Sequence, residues 1–425
     1  MRRYALKDFY QWKDSPNRKP LILKGARQVG KTWLMLEFAK QAFKNFVYVN
    51  FEDDSRLGAI FDTDFDIDRI LFALRTATKK SIDENTLILF DEIQAAPRAL
   101  TSLKYFYEKA PQYPVIAAGS LLGLSVHEGV SFPVGKVDFL EILPMNFHEF
   151  LEATDNTNYV ELLNSGDYGT IDVFSDKLID LLKLYYVVGG MPEAVQSFAN
   201  DRDLSAVRRI QKNILNSYDS DFSKHVPNSE VPRIRMVWNS IPAQLSKENK
   251  KFIYGMLKEG ARAKTFEVAL EWLKDSGLIS KVHRVKKPSL PLVAYEDFAA
   301  FKVFITDVGL LCAMANVDVD IILNGSQIFE EFKGALTEQF VFQQLKAKRN
   351  MQIFYWSAEN SSGELDFVVQ DEEKIYPIEV KAEENVQAKS LRFFVQKNPG
   401  LKGIRFSMQK FRDQEWMENR PLYTV

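Results

Sequence analysis

Apolar residues in the first part of the chain occur in short runs, separated by stretches with helical spacing. Between the first two runs, residues 31–40 carry apolar side chains at the spacing of one helix face. Buried strands alternating with helices are typical of a parallel sheet covered on both faces. We therefore predict an α/β domain over residues 1–145. Its predicted strands lie at residues 20–24, 46–50, 86–90 and 115–118.

The spacing then becomes helical throughout residues 146–204. Leu178, Leu182 and Tyr185 fall on one face of a helix, and Gly189–Pro192 interrupts it. This pattern predicts a small helical lid over residues 146–204.

Residues 205–315 have the element order of a winged helix. Two predicted helices, at residues 249–258 and 265–275, are joined by a turn at Glu259–Ala261. A strand is predicted directly after Gly277, which completes the helix-turn-helix and wing order.

From residue 325 to residue 425 the alternation of helices and strands returns. We predict a second, smaller α/β domain there, so the fold class is α/β with a winged-helix middle. Its predicted elements are a helix at 334–346, strands at 352–356, 365–369 and 376–380, and a helix at 388–396.

Composition limits the classes of function. The 425 residues are 46% hydrophobic and 26% charged, which excludes a largely disordered chain. The net charge of −2 gives no global attraction to nucleic acid, so any DNA contact needs a local basic patch. One cysteine, Cys312, excludes an internal disulfide, and the four histidines show no zinc-ligand spacing. With no signal-peptide pattern and no apolar run of about 18 residues, we expect a soluble cytoplasmic protein without membrane contact.

A glycine-rich motif follows the first predicted strand and opens the first predicted helix. It fits the pattern G-x-x-x-x-G-K-[ST], in which backbone N–H groups surround a β-phosphate. The lysine reaches the β- and γ-phosphate oxygens, and the hydroxyl coordinates Mg²⁺. The predicted nucleotide-binding residues are Gly25, Ala26, Arg27, Gln28, Val29, Gly30, Lys31 and Thr32.

Two further strand ends supply groups that such a loop requires. Asp91, after the buried run Leu87–Phe90, is predicted to bind Mg²⁺ together with Thr32. Glu92 is predicted to polarise the attacking water as the catalytic base. Ser120 is a candidate sensor of the γ-phosphate, although serine also favours turns for local reasons.

The motifs GARQVGKTWL, LILFDEIQ, AAGSLLG, FPVGKVDFLEILPMNFHEFL and GGMPEAV together resemble a bacterial and archaeal group of AAA-type ATPases. The resemblance implies ATP and Mg²⁺ as cofactors. It also implies a winged helix followed by a C-terminal restriction-endonuclease-like domain of unsettled role. Many relatives carry arginine after the glycine that Gly135 matches, whereas this chain has Lys136. Lysine lacks the planar fork of arginine, which argues against an arginine finger here, and an oligomer stays open.

The C-terminal domain contains a second group of charged residues. Glu379 and Lys381 share one face of a predicted strand, and a hairpin would bring Asp366 beside them. Asp366 and Glu379 are predicted metal ligands, Lys381 would orient water, and Glu338 on the preceding helix would complete the site. This arrangement resembles the PD-(D/E)xK nucleases. The alternative is a solvated hairpin whose charges are unrelated.

A basic strip, Lys281–Lys287, is predicted on the wing, where four lysine and arginine side chains suit phosphate contact. The adjacent helix exposes Glu267 and Glu271, which disfavours base reading, so a protein-contact or lid-coupling role is the stronger interpretation.

The sequence thus predicts a Mg²⁺-dependent ATPase that regulates a C-terminal nuclease-like domain, with DNA or RNA as the candidate substrate. The alternative is a nucleotide-dependent switch or scaffold that binds nucleic acid or protein without cleavage.

Overall fold

The computed structural model describes residues 1–119, 133–247, 250–324, 330–358, 363–382 and 388–425. The described chain forms two compact units. The N-terminal unit comprises residues 2–143 together with the short segment Asp275–Leu278. The C-terminal unit comprises residues 144–274 and 279–425, with Met1.

The N-terminal unit is built on a parallel sheet. Within the described residues this sheet has five strands in the order β2-β3-β4-β1-β5. The strands are β1 (Leu21–Lys24), β2 (Asn45–Asn50), β3 (Thr86–Asp91), β4 (Val115–Ala118) and β5 (Asp138–Glu141). The helices are α1 (Leu6–Asp14), α2 (Lys31–Ala42), α3 (Ile67–Thr78) and α4 (Pro97–Lys109).

The predicted strands and the first predicted helix of this unit are all present. Strands β3 and β4 are buried at every position, which is why they stand out as apolar runs. Strand β5 was not predicted because only Leu140 among its four residues is buried. It pairs with β1 at the edge of the sheet, where an apolar run is not needed.

The C-terminal unit contains most of the helices. They are α5 (Phe147–Ala153), α6 (Thr157–Ser165), α7 (Tyr168–Val173), α8 (Ser175–Val188), α9 (Pro192–Asp201), α10 (Leu204–His225), α11 (Val231–Leu245), α12 (Ala263–Asp275), α13 (Val308–Met314), α14 (Val319–Asn324), α15 (Glu330–Ala347) and α16 (Lys389–Lys397). None of the described helices combines the length and the apolar character needed to cross a membrane.

A mixed sheet forms the core of this unit, with eight strands among the described residues in the order β12-β13-β11-β10-β9-β8-β6-β7. The strands are β6 (Ile279–Val285), β7 (Glu296–Ile305), β8 (Gln352–Ser357), β9 (Glu364–Asp371), β10 (Lys374–Val380), β11 (Gly403–Ser407), β12 (Arg412–Asp413) and β13 (Met417–Pro421). Strand β6 pairs with β8, so the sheet continues across the predicted border between residues 315 and 325.

The predicted apolar face of helix α8 is buried, including Leu178, Leu182 and Tyr185. The two glycines that follow are required by packing. A Cβ on Gly189 would lie 2.2 Å from Oδ1 of Asp307, and a Cβ on Gly190 would lie 2.0 Å from a backbone carbonyl oxygen. Because they lack a side chain, the two glycines of the GGMP motif allow Asp307 and the Met145 backbone to pack directly against them.

The prediction of a helix at residues 249–258 is wrong for residues 250–258, the part that the structure describes. Residues Tyr254–Met256 form a single 3-10 turn, and the backbone before it bonds to other elements. The Phe252 N–H donates to the Phe301 carbonyl, and Gln244 bonds both the N–H and the carbonyl of Ile253. These bonds use backbone groups that a helix would need for itself.

Two of the four cations in the basic strip Lys281–Lys287 are paired with carboxylates, which the sequence does not indicate. Lys281 forms an ion pair with Glu271 at 2.5 Å. Arg284 is paired with Asp297 on the neighbouring strand β7. The Lys287 ammonium lies 4.3 Å from the ring centre of Tyr295. Lys286 and Lys287 are exposed, so the ion pairs compensate two of the four cations of the strip.

Candidate functional site

The glycine-rich loop between β1 and α2 contains residues with positive φ, a backbone conformation that glycine adopts readily and other residues adopt rarely. Gly25 has φ +140°, and a Cβ there would lie 2.2 Å from the Ile142 carbonyl oxygen. Gly30 has φ +92° and Gln28 has φ +67°, so three loop residues lie at positive φ. The loop therefore closes tightly at the N-terminus of α2, with its backbone available to an anion.

Lys31 lies across this loop. Its ammonium donates to the carbonyl oxygens of Gly25 and Ala26, each at 2.9 Å. Burial lowers the pKa of Lys31 to about 8, although the charges of Glu92 and Asp91 oppose the shift. A phosphate beside this ammonium would favour its charged form, because an opposite charge nearby raises an amine pKa.

Asp91, at the end of β3, meets the first turn of α2. Its Oδ2 accepts hydrogen bonds from the Thr32 hydroxyl at 2.7 Å and from the Tyr48 hydroxyl at 2.9 Å. Its Oδ1 accepts from the Glu92 N–H at 3.0 Å. The structure thus brings together the two groups that the sequence assigned to Mg²⁺, and a hard cation suits these oxygens.

Glu92 follows Asp91 in the left-handed region, with φ +49°. This conformation turns its side chain away from the strand direction, and Gln94 Nε2 donates to its Oε2 at 2.6 Å. Burial raises the pKa of Glu92 above its usual value, against the bond from Gln94, and the Asp91 charge adds to the rise. A raised pKa suits a carboxylate that must accept a proton.

Two residues of this site were not found from the sequence. Tyr48 lies on β2, and Gln94 lies just beyond the β3 strand end. The weak signal for Tyr48 is the alternation along β2, which places it on the opposite face from the buried Val47 and Val49. The contact of Tyr48 with Asp91 depends on the pairing of β2 with β3, whereas Gln94 contacts Glu92 only two residues away in sequence.

The remaining N-terminal predictions concern the γ-phosphate. Ser120 lies outside the described residues, so its role stays a prediction. Lys136, at the position where many relatives carry arginine, forms an ion pair with Glu108 at 3.1 Å. Its ammonium also lies 5.4 Å from the ring centre of Tyr107.

The C-terminal unit brings its predicted residues to one region of the sheet. Strands β9 and β10 form the expected antiparallel hairpin. Asp366 Oδ2 accepts from the Val380 N–H at 2.7 Å, and Lys381 Nζ lies 2.9 Å from Glu379 Oε1. Glu338 of α15 lies close enough for its charge to raise the pKa of Asp366.

Lysines that the sequence analysis did not select lie among these carboxylates. Lys302 of β7 is fully buried, with its ammonium 2.6 Å from Glu364 Oε1. It also lies 3.8 Å from Glu338 Oε2 and 3.9 Å from Asp366 Oδ1. Lys250 is hydrogen-bonded to Glu338. We call the whole set the carboxylate–lysine cluster: Lys250, Lys302, Glu338, Glu364, Asp366, Glu379 and Lys381.

The electrostatics of the cluster follow from its burial. Burial and the Glu338 charge raise the pKa of Asp366 to about 8, against the effect of Lys302. Burial alone would lower the pKa of Lys302, but Glu338, Glu364 and Asp366 together raise it. Lys302 thus stays charged. Among the described residues, no group of three or more His, Cys, Asp or Glu side chains is arranged to hold a metal ion.

A signal for Lys302 was present in the sequence. It is the only charged residue in the stretch Phe298–Ile305, which otherwise consists of apolar residues. A lysine in a buried strand needs a partner, because an unpaired buried charge is costly.

Comparisons with known families cover the chain in three parts. Residues 17–151 match the model of the AAA domain. Residues 179–320 and 333–419 match two domains of unknown function, DUF8612 and DUF4143. The family match and the loop geometry both support an AAA-type P-loop domain in the N-terminal unit.

A curated relative is the uncharacterized protein MJ1544 of Methanocaldococcus jannaschii. It is 25% identical over 372 residues, which cover 84% of this chain and 74% of that protein. Its own function is not described, so the likeness extends the similarity along most of the chain without adding an activity.

Solved structures with partial likeness include three proteins of archaeal and bacterial origin. The Walker-type ATPase PABY2304 of Pyrococcus abyssi has a TM-score of 0.44 at 14% identity and covers 73% of this chain and 95% of that chain. The ORC1 protein of Aeropyrum pernix in complex with DNA has a TM-score of 0.30 at 13% identity, covering 74% and 93%. The RuvB branch-migration motor of Thermotoga maritima has 0.30 at 14% identity, covering 66% and 90%. Likeness at this level does not bear on the activity of this chain.

Proposed function

We propose that the protein binds and hydrolyses ATP with Mg²⁺ at the loop between β1 and α2. The observation that carries the proposal is the contact between Thr32 and Asp91, 2.7 Å apart across two elements. Lys31, bonded to the loop carbonyls, and Glu92, held by Gln94, complete the set of groups that phosphoryl transfer to water requires.

Each residue has a part in this mechanism. The loop backbone and Lys31 would hold the β- and γ-phosphates. Thr32 and Asp91 would hold Mg²⁺, which would supply positive charge to offset that of the phosphates. Glu92 orients the attacking water and accepts its proton, which its raised pKa favours. Tyr48 orients the Asp91 carboxylate through its hydroxyl.

We further propose that the nucleotide state controls the C-terminal unit, and that this unit acts as a switch or scaffold for nucleic acid or protein. The convergence of Asp366, Glu338 and Glu379 supports the other output, metal-dependent cleavage. The position of Lys302 among the carboxylates favours the switch. A winged-helix role for residues 205–315 and assembly into oligomers stay proposals of the same kind.

Two substitutions test the ATPase. Lys31→Ala should abolish ATP binding, because the phosphates lose their lysine partner. Glu92→Gln should keep ATP binding and lower hydrolysis by a factor of about 100 or more, in the range that general-base catalysis contributes. Calorimetry measures binding and phosphate release measures turnover.

The matched control is Lys40→Ala, which removes an exposed lysine from the last turn of the same helix. Its binding and turnover should equal those of the unmodified protein. Normal hydrolysis by Glu92→Gln would show that another group activates the water.

A further inference from the structure

The carboxylate–lysine cluster does not have the form of a metal site. A divalent-cation site needs several oxygen ligands that converge on a position that no other cation occupies. Here the position between Glu338, Glu364 and Asp366 holds the ammonium of Lys302, at 3.8, 2.6 and 3.9 Å from their oxygens. A divalent cation placed there would meet a like charge at close range.

Lys302 is held in this position by its surroundings. It lies in the middle of β7, its side chain is fully buried, and its ammonium is 5.0 Å from the ring centre of Tyr355. A buried ammonium that left these carboxylates would lose its charge partners. The lysine therefore behaves as a fixed part of the cluster rather than as a mobile surface group.

The other carboxylates of the cluster also face cations of the chain. Glu338 is paired with Lys250 as well as with Lys302. Glu379 lies 2.9 Å from Lys381, and its charge also acts on Arg405, its register partner on strand β11. Lysines of the chain therefore compensate the negative charges of Glu338 and Glu379 as well as that of Glu364.

We propose that Lys302 is a built-in cation that takes the place of a divalent metal, so that the C-terminal unit neither binds a metal at this cluster nor cleaves by a metal-dependent route. Two buried carboxylate oxygens, Oε2 of Glu338 and Oε2 of Glu379, accept no hydrogen bond from the described residues. A metal is not needed to compensate the charges of these two carboxylates, because Glu338 is ion-paired with Lys302 and Glu379 with Lys381. The proposal concerns the C-terminal unit alone and holds whether or not the N-terminal unit hydrolyses ATP.

Manganese binding by the full chain tests this assignment, since the electron paramagnetic resonance signal of free Mn²⁺ reports the bound fraction. Lys302→Met keeps the apolar stem and removes the charge. We expect it to bind about one more equivalent of Mn²⁺ than the unmodified protein, because the carboxylates then lack their central cation. Adding Asp366→Asn to Lys302→Met should abolish the gain. Mn²⁺ should also raise the unfolding temperature of Lys302→Met by more than it raises that of the unmodified protein, because only the variant binds Mn²⁺ at this cluster.

The control is Lys183→Met, which removes a partly buried lysine that donates to the Leu323 carbonyl outside the cluster. It should bind as much Mn²⁺ as the unmodified protein. A folded Lys302→Met that gains no Mn²⁺ would overturn the proposal.

A second comparison does not require Lys302→Met to fold. Asp366→Asn and Glu379→Gln, each made in the otherwise unmodified chain, should leave Mn²⁺ binding unchanged. A loss of bound Mn²⁺ in either variant would show that the cluster already holds a metal, and would overturn the proposal directly.

Discussion

Asp307 shows how a single buried carboxylate organises several elements of the C-terminal unit. It begins helix α13 as its N-cap, with Oδ1 accepting from the Leu310 N–H at 3.0 Å. Its Oδ2 accepts from the Gly190 N–H at 2.6 Å and from Gln343 at 3.1 Å. Both oxygens are therefore used by donors, and burial raises the pKa of Asp307 against those bonds.

Asp307→Asn should lower the free energy of unfolding by about 1 to 3 kcal/mol, because one oxygen becomes an NH₂ group that faces a donor. Urea unfolding measures the change. Asp203→Asn is the control: Asp203 is also an N-cap, of α10, but it is exposed, and asparagine caps about as well there. Equal effects of the two substitutions would contradict the role given to burial.

At the scale of elements, the turn at the end of helix α12 packs against the glycine-rich loop between β1 and α2. Asp275–Leu278 belongs to the N-terminal unit, although the residues on both sides belong to the C-terminal unit. A Cβ on Gly277 would lie 2.9 Å from the Ala26 nitrogen and 3.3 Å from the Gly25 carbonyl carbon. The turn therefore touches the phosphate-binding loop directly.

Gly277→Ala should weaken ATP binding by roughly tenfold, about 1.4 kcal/mol, because the added methyl group must displace the loop backbone. Gly260→Ala is a matched control. Gly277 has φ +76° and Gly260 has φ +71°, so both substitutions bring the same strain, but nothing lies within 4 Å of a Cβ on Gly260. Calorimetric titration with ATP compares the two. If both variants bind equally, the contact with the loop has no effect on the nucleotide.

At the scale of the whole molecule, charge pairing limits how strongly the surface can attract a polyanion such as DNA. The net charge is −2, and the cations of strand β6 are compensated by Glu271 and Asp297. Each free phosphate contact would contribute about −0.9 to the slope of log affinity against log salt. With Lys281 and Arg284 paired, Lys286 and Lys287 are the cations of the strip that are left for such contacts.

We therefore expect weak DNA binding with a slope shallower than about −2 between roughly 50 and 200 mM salt, measured by fluorescence anisotropy. The double variant Glu271→Gln, Asp297→Asn releases Lys281 and Arg284 and should steepen the slope. A steep slope in the unmodified protein, unchanged in the double variant, would locate a basic surface elsewhere.

The sequence alone determined the local features of the nucleotide site. The strands β1, β3 and β4 are apolar runs because they are buried on both faces, and the loop from Gly25 to Thr32 has glycines where its conformation requires them. The hairpin that carries Asp366 and Glu379 was also predicted, because alternation and a polar turn are local properties.

Tertiary structure decided what lies beside these residues. Tyr48 and Lys302 come from elements distant in sequence from the carboxylates that they contact, so no local pattern places them. The helix predicted at residues 249–258 failed because Phe252 and Ile253 bond to other elements instead of to their own neighbours. Periodicity records which face of an element is buried, but the partner that covers it, and the charge that compensates a buried carboxylate, are fixed only when the chain folds.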